Sequence, residues 1–322
     1  MAVYTKVSDT EAADFLRAYD MGAFKALIGI KQGTENSNYI LETSLGKYIL
    51  TLYEKRTKKE DLPFFLGLME HLARKKIPCP ATMRAKDGEA FRELAGRMAA
   101  VTTFLEGASI IRITPNECAE LGRALAAMHL VGTDFKMRRP NDLSLEKWKE
   151  LLKACETGAD GVHPGLAAAL RAEINYLDKH WPKGLPEGVI HADLFPNNVF
   201  FKNNKLCGMI DFYFACNDML VYDLAVCINA WCFESNNFAF NITKARALLK
   251  GYEEVRVLSV AEKKALPVLA RGAALRFHLT RLYDWLNQVP GAFVKPHDPL
   301  EYFTRLQFHQ KVVDVSAYGL EA

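Results

Sequence analysis

No two of the seven cysteines (Cys79, Cys118, Cys155, Cys207, Cys216, Cys227 and Cys232) form a Cys-x-x-Cys pair, and their number is odd. A disulfide framework and a zinc site on paired cysteines are therefore not expected, and the thiols read as buried free cysteines of a reducing, cytoplasmic compartment. No apolar run approaches the ~18 residues of a membrane span, and the first twenty residues carry acids in a capped-helix pattern rather than the apolar core of a signal peptide. Charge of one sign is scarce as well. Lys and Arg number 41 against 38 Asp and Glu, a formal charge of +3, which is too balanced for a dedicated nucleic-acid binder. The one dense basic cluster, Lys55, Arg56, Lys58 and Lys59, is broken by Thr57 and followed by Glu60 and Asp61, as in a solvated connection. There is no internal repeat, no low-complexity segment, and nothing that calls for an obligate protein partner.

What is present is ordinary globular composition, 50% hydrophobic and 25% charged over 322 residues. That length exceeds the ~100–200 residues of one domain, so two lobes are expected. Ser8 and Glu11 form a capping box for a helix running to about Tyr19. Three β-rich runs follow, Leu27–Ile30, Asn38–Thr43 and Lys47–Tyr53, separated by glycine turns, and predict an antiparallel meander. A helical pattern covers Leu62 to Lys75. The Asp87-Gly88 turn then predicts a hairpin of Ala81–Arg84 with Ala90–Glu93. A last strand, Met98–Leu105, leads to Gly107, where the lobe boundary is placed. Beyond it, Thr114-Pro115-Asn116-Glu117 opens a helix to about Leu130. Helical patterns recur at Leu145–Ala154, Gly165–His180 and from Thr243 onward, with one β interlude at Val189–Ile210.

The interlude carries the chemistry. It contains His191-Ala192-Asp193-Leu194-Phe195-Pro196-Asn197-Asn198, then a polar turn at Lys202–Lys205, then Ile210-Asp211-Phe212. His-x-Asp with Asn five positions on has the spacing of a kinase catalytic loop, and Asp211 stands where the kinase metal-binding Asp-Phe-Gly begins. Phosphoryl transfer needs a carboxylate to take the acceptor's proton, here Asp193, and a metal ion on the phosphates. Asn198 and Asp211 offer the hard oxygen ligands that Mg²⁺ prefers.

This string resembles the HGDLHxxN signature of the aminoglycoside phosphotransferase and choline kinase-like small-molecule kinases, with Ala192 and Phe195 in place of the commoner Gly and His. Asn36–Tyr39, Tyr48–Glu54, Ile210–Asp218 and Asn229–Trp231 are similar to the bacterial branch of that family that acts on L-homoserine. The resemblance covers almost the whole chain. It implies an α+β, two-lobed protein kinase-like fold, with a small antiparallel β-sheet N-lobe (1–105) that binds ATP and a larger, mainly helical C-lobe (106–322), both forming one catalytic domain. It further implies transfer of the ATP γ-phosphate, with Mg²⁺, to the hydroxyl of L-homoserine on the route to threonine. Another small hydroxyl acceptor (choline, an aminoglycoside, a sugar-like metabolite) and a nucleotide-binding pseudokinase are the competing readings.

In the family context Gly33, Ser37 and Asn38 become phosphate-contact candidates, and the stretch holding Val101, Thr103 and Leu105 is expected to receive adenine. Where related kinases carry Lys or Arg, this chain has Thr51, and apolar Phe64 to Leu66 stand near the expected partner Glu. Lys31, Lys55 and Arg56 are the cations left to reach the phosphates. A zwitterionic acceptor needs acid on one side and a guanidinium or amide on the other. Tyr213, Asp218, Trp231, Glu234, Arg276 and Arg281 are the candidates, with Asp284 nearby. Trp231 is alternatively core, and Arg281 with Asp284 alternatively a helix-surface pair. Asp223 is expected to steady the catalytic loop, His191 to brace it, and His129 to be a core histidine.

Overall fold

The computed structural model describes residues 3–31, 36–54, 57–288 and 296–321. Helix α1 (Asp9–Leu16) starts from the expected box, Ser8 Oγ accepting from the Glu11 amide and the Glu11 carboxylate from the Ser8 amide. It stops before Tyr19, because the Arg17, Ala18 and Tyr19 amides turn to carbonyls three residues back. Strands β1 (Phe24–Gly29), β2 (Ser37–Thr43) and β3 (Lys47–Leu52) form the meander. Helix α2 (Leu62–Arg74) comes next, then β4 (Thr82–Met83), β5 (Arg92–Leu94) and β6 (Arg97–Thr103). The sheet order is β1-β2-β3-β6-β4, with β5 also on β6.

One expectation fails here. The Asp87-Gly88 turn forms, with Gly88 at φ +89 and its amide bonded to the Ala85 carbonyl, yet β4 and β5 both pair with β6 instead of with each other. Strands of two and three residues are too short to stand as an isolated hairpin, and β6 offers each a ready edge.

Apolar residues of the sheet feed two cores. Tyr39, Leu41, Leu50, Leu52 and Val101 pack with Leu16, Tyr19 and Met21 into a small N-terminal core. Tyr53 and Ala100 belong instead to a second core with Phe65, Leu68 and Leu72 of α2, and that core runs without a break into the C-terminal helices.

The C-terminal part holds α3 (Pro115–Val131), α4 (Leu145–Val162), α5 (Leu166–His180), β7 (Glu187–Ile190), β8 (Val199–Lys202), β9 (Lys205–Met209), β10 (Cys216–Met219), α6 (Leu220–Trp231), α7 (Ile242–Glu253), α8 (Val260–Leu286) and α9 (Pro299–His309). β8 and β9 pair through a turn at Asn203 and Asn204, both at positive φ, which asparagine tolerates. Helix α6 has no counterpart among the helical patterns read from the sequence. All twelve of its residues are buried, so it lacks the polar face that produces a helical period. Helices α3 and α7 touch backbone to backbone: a Cβ on Gly122 would lie 2.1 Å from the Leu248 carbonyl oxygen, and one on Gly251 2.3 Å from that of Ala119. No described helix is long and apolar enough to cross a membrane.

Candidate active site

β7 and β10 pair with Ile190 opposite Cys216, and His191 leaves the end of β7 directly over α6. Asp223, in the first turn of that helix, is fully buried. Its carboxylate accepts the His191 amide at 2.7 Å, the Ala192 amide at 2.8 Å and His129 Nε2 at 3.1 Å. Burial pushes its pKa up, but the hydrogen bonds from His129 and from these amides outweigh that and hold it below the usual carboxylate range. His129 is thus core and more, since its other nitrogen meets the Tyr252 hydroxyl at 2.8 Å.

His191 is braced in turn. Nε2 lies 3.0 Å from the Ile210 carbonyl, and Nδ1 accepts the Asp193 amide at 3.3 Å. The first contact requires a proton on Nε2 and the second a lone pair on Nδ1, which fixes one neutral tautomer. Burial lowers the pKa of the ring, so His191 orients the loop and does not carry charge.

Ala192 sits at φ +63, a region where a Cβ costs about 1–2 kcal/mol; this is the position where the family commonly has Gly. Two buried groups hold it there: Asp223 on its amide, and Arg276 Nη1 on its carbonyl at 2.5 Å. Arg276 is 1% exposed and lies between the Phe214 and Phe277 rings. Trp231, also buried, donates Nε1 to the Leu194 carbonyl at 2.8 Å. Both were expected among acceptor contacts. Because α6 and α8 pack directly under the loop, both side chains are committed to its backbone.

The loop delivers Asp193 half-buried. Asn198 Nδ2 bonds its carbonyl at 2.9 Å and its Oδ2 at 3.3 Å. The Ile210 amide bonds the Asn198 carbonyl at 2.9 Å, which draws Asp211 alongside Asn198. Asp211 takes a left-handed conformation, φ +66. With its Nδ2 on Asp193, Asn198 presents Oδ1, and Asp211 presents a carboxylate, an all-oxygen pair that fits a hard cation. Among the described residues no cluster of three or more His, Cys, Asp or Glu could hold a metal ion.

Tyr213, expected near the acceptor, points across to the N-terminal sheet. Its hydroxyl accepts from Tyr53 at 3.2 Å, and its ring meets Tyr53 and Phe65 edge-on at 5.2 and 5.8 Å. Burial pushes its pKa up to about 12. Thr51, also within reach of that hydroxyl, bonds Asn38 Oδ1 at 2.7 Å. The position where a Lys was sought therefore lies in a network of hydroxyls and rings, and Phe64, Phe65 and Leu66 are buried beside it. With both members of the ion pair replaced, no charge is stranded there.

Gly33, Lys55 and Arg56 lie outside the described residues; Lys31 is exposed. Ser37 does not face an open site: its fully buried hydroxyl accepts the Tyr4 and Thr5 amides and donates to Glu54. Val101 lies inside the sheet between Leu50 and Met83, and Thr103 is tied to Ala81 through both its amide and its hydroxyl. Leu105 rests on Gly208 of β9. Neither Val101 nor Thr103 has the open backbone that an adenine edge requires.

Of the remaining candidates, Asp218 accepts from Asn141 Nδ2 and the Met219 amide, both at 2.7 Å, and burial raises its pKa. Glu234 pairs with Lys244 at 2.8 Å, which, with the Asn241 amide group, lowers its pKa. Arg281 pairs with Glu301 of α9 at 2.5 Å. Sequence reasoning missed Arg139, whose guanidinium joins Asp61 at the foot of α2 (3.1 Å) and Asp142, over the Phe65 ring. Only its partners reveal it, and Asp61 lies 78 residues away.

A strand–loop–strand sets the Asp193 carboxylate beside Asn198 and Asp211, an arrangement suited to phosphoryl transfer. Residues 26–258 match the model of the phosphotransferase enzyme family APH. The amicoumacin kinase structure solved with AMP-PNP and Ca²⁺ superposes with a TM-score of 0.70 at 14% identity, over 95% of this chain and 93% of that one, which shows the shared fold. The chain belongs to the APH family and is an ATP-dependent phosphotransferase. Within the family its place is among the homoserine kinases: it is 58% identical over 322 residues to homoserine kinase of Xanthobacter autotrophicus and 56% to that of Parvibaculum lavamentivorans, with 100% of each chain covered.

Proposed function

We propose that the chain transfers the γ-phosphate of ATP to the hydroxyl of L-homoserine, giving O-phospho-L-homoserine for threonine synthesis, with Asp193 as the proton acceptor. The observation that carries the reading is the setting of Asp193, whose carbonyl and carboxylate are both held by Asn198 while Asp223 holds the two preceding amides. A carboxylate fixed in this way can align an incoming hydroxyl with the phosphorus and take its proton as the bond forms. His191 and Arg276 keep the loop in register, and Trp231 holds the carbonyl that follows Asp193. Asn198 and Asp211 would hold Mg²⁺, which would offset the charge developing on the phosphates. We take residues 1–105 as the ATP lobe and 106–322 as the catalytic and acceptor lobe of one domain, with adenine against the link around Leu105. Asn38, Asp218 and Glu234 remain candidate contacts for phosphate and acceptor. A cytoplasmic location completes the reading, supported by seven free cysteines, six of them buried.

An acceptor panel with Mg-ATP tests it: L-homoserine, choline and kanamycin, read as ADP release. Turnover of choline or kanamycin but not of L-homoserine would overturn it.

A further inference from the structure

Next to the catalytic loop, α8 and α9 form a polar cluster that the steps above leave unused. Arg281 Nη1 bonds Glu301 Oε2 at 2.5 Å, and Arg305 bonds the other oxygen of the same carboxylate. Both guanidiniums stand 4.4 Å from the Tyr302 ring centroid, and Arg305 also holds the Asn229 carbonyl. Two guanidiniums thus share one carboxylate. Arg305 and Tyr302 are buried, whereas the Arg281 and Glu301 side chains keep 14% and 21% of their surface, so a small solute can reach them. The Tyr302 hydroxyl is buried with no hydrogen-bond partner, an orphan that native interiors rarely tolerate without a reason.

The cluster adjoins the reacting centre. Phe195, two residues after Asp193, packs edge-on to Phe277 at 4.9 Å and lies 6.4 Å from the Tyr302 ring. Burial raises the Tyr302 pKa to about 12, and the Asp193 charge adds to the rise, so the two residues share one electrostatic neighbourhood. A histidine at position 195 would put a polar ring against this wall. The phenylalanine makes it apolar, and Arg281 stands on the Tyr302 ring of the same wall.

We infer that Arg281 and Glu301 select the acceptor by its zwitterionic end, Arg281 taking the carboxylate and Glu301 the ammonium, on a base fixed by Arg305 and Tyr302. The inference rests on the L-homoserine reading and deepens it. An acceptor with one charge replaces only half of the internal Arg281–Glu301 pair; one with both charges exchanges that pair for two pairs of its own.

The test compares L-homoserine with 3-aminopropanol, which lacks the carboxylate, and 4-hydroxybutyrate, which lacks the ammonium. The unaltered enzyme should prefer L-homoserine to both. Arg281→Gln should raise KM for L-homoserine about 10- to 100-fold, the span of one charged hydrogen bond. It should leave KM for ATP within threefold and kcat/KM for 3-aminopropanol nearly unchanged. Glu301→Gln should lose the preference over 4-hydroxybutyrate in the same manner. Arg281→Lys, which keeps the charge and is the milder change should the Gln variant fail to fold, should recover part of the KM. Equal losses for L-homoserine and 3-aminopropanol in either Arg281 variant would make the residue structural and overturn the inference. An unaltered enzyme that ignores L-homoserine would instead mark failure of the acceptor reading itself, and the inference would fall with it.

Discussion

Below the cleft the catalytic loop hangs on buried ionisable groups, with Asp223 on two amides, Arg276 on a carbonyl and His191 tying it to the metal-side strand. Above it, Thr51, Asn38, Tyr53 and Tyr213 meet through hydroxyls and rings alone. Buried charge gives strong, directional bracing but makes stability depend on protonation, and losing one partner strands the other. The neutral network is cheaper to bury and insensitive to pH near neutrality, but it contributes no cation to a polyphosphate. The lower side is thus built to hold one geometry, and the upper side lends contacts without charge.

The comparison breaks most sharply at Asp193. Asp193→Asn should lower turnover by about 10²–10⁴-fold, the usual scale for a positioned base, while a nucleotide titration finds ATP affinity kept. Unchanged turnover would remove the base from the mechanism.

Acid should separate the two sides next. Burial lowers the pKa of His278 to about 4 and of His309 to about 3, against ~6.5 in an unfolded chain. A depressed histidine stabilises fully above the unfolded value, and that contribution is lost as pH falls from about 6.5 through the folded value. For His278 the loss amounts to roughly 3 kcal/mol. Thermal unfolding between pH 7 and 4 should therefore show a steep fall in Tm. His278→Asn, which can still donate to the Pro299 carbonyl, should flatten the curve. A flat profile in the unaltered protein would count against the buried neutral histidines as the source of acid sensitivity.

A smaller effect is expected above the cleft. Tyr213→Phe removes one neutral hydrogen bond, worth about 1 kcal/mol, and should raise KM for Mg-ATP roughly fivefold, with KM for the acceptor unmoved. Adding Tyr53→Phe should cost little more, because the shared bond is already gone. Fully additive losses would show that the two hydroxyls act independently.

The smallest change is Ala192→Gly. It relieves a Cβ at φ +63 and should stabilise by about 0.5–1 kcal/mol, the strain less the extra freedom of an unfolded glycine, with turnover intact. Chemical denaturation at neutral pH measures it.

Much of the lower side was legible in the sequence because its chemistry is local: Asp193 and Asn198 lie five residues apart, and the turn at Asn203 and Asn204 folds Asp211 back to them. The meander and two capping boxes, at Ser8 and Thr114, were legible for the same reason. Arg276 was not, since its carbonyl partner lies 84 residues earlier and no periodicity separates a buried guanidinium from one that waits for a ligand. Helix α6 escaped because a helix buried on every side has no stripe. Tyr213 was placed on the wrong side of the cleft because the sequence gives its neighbours Asp211 and Phe212 but not the direction in which the following turn throws the ring.

The crossing of α3 and α7 carries a genetic consequence. Gly122 and Gly251 let the two backbones meet, and the residue after Gly251 is the Tyr252 that bonds His129 and, through it, Asp223. A single methyl group at either glycine would pry the helices apart and slacken a chain that ends on the catalytic loop. In a search for threonine auxotrophs, some of the lesions should therefore fall at these two codons, with every residue that touches substrate still wild type.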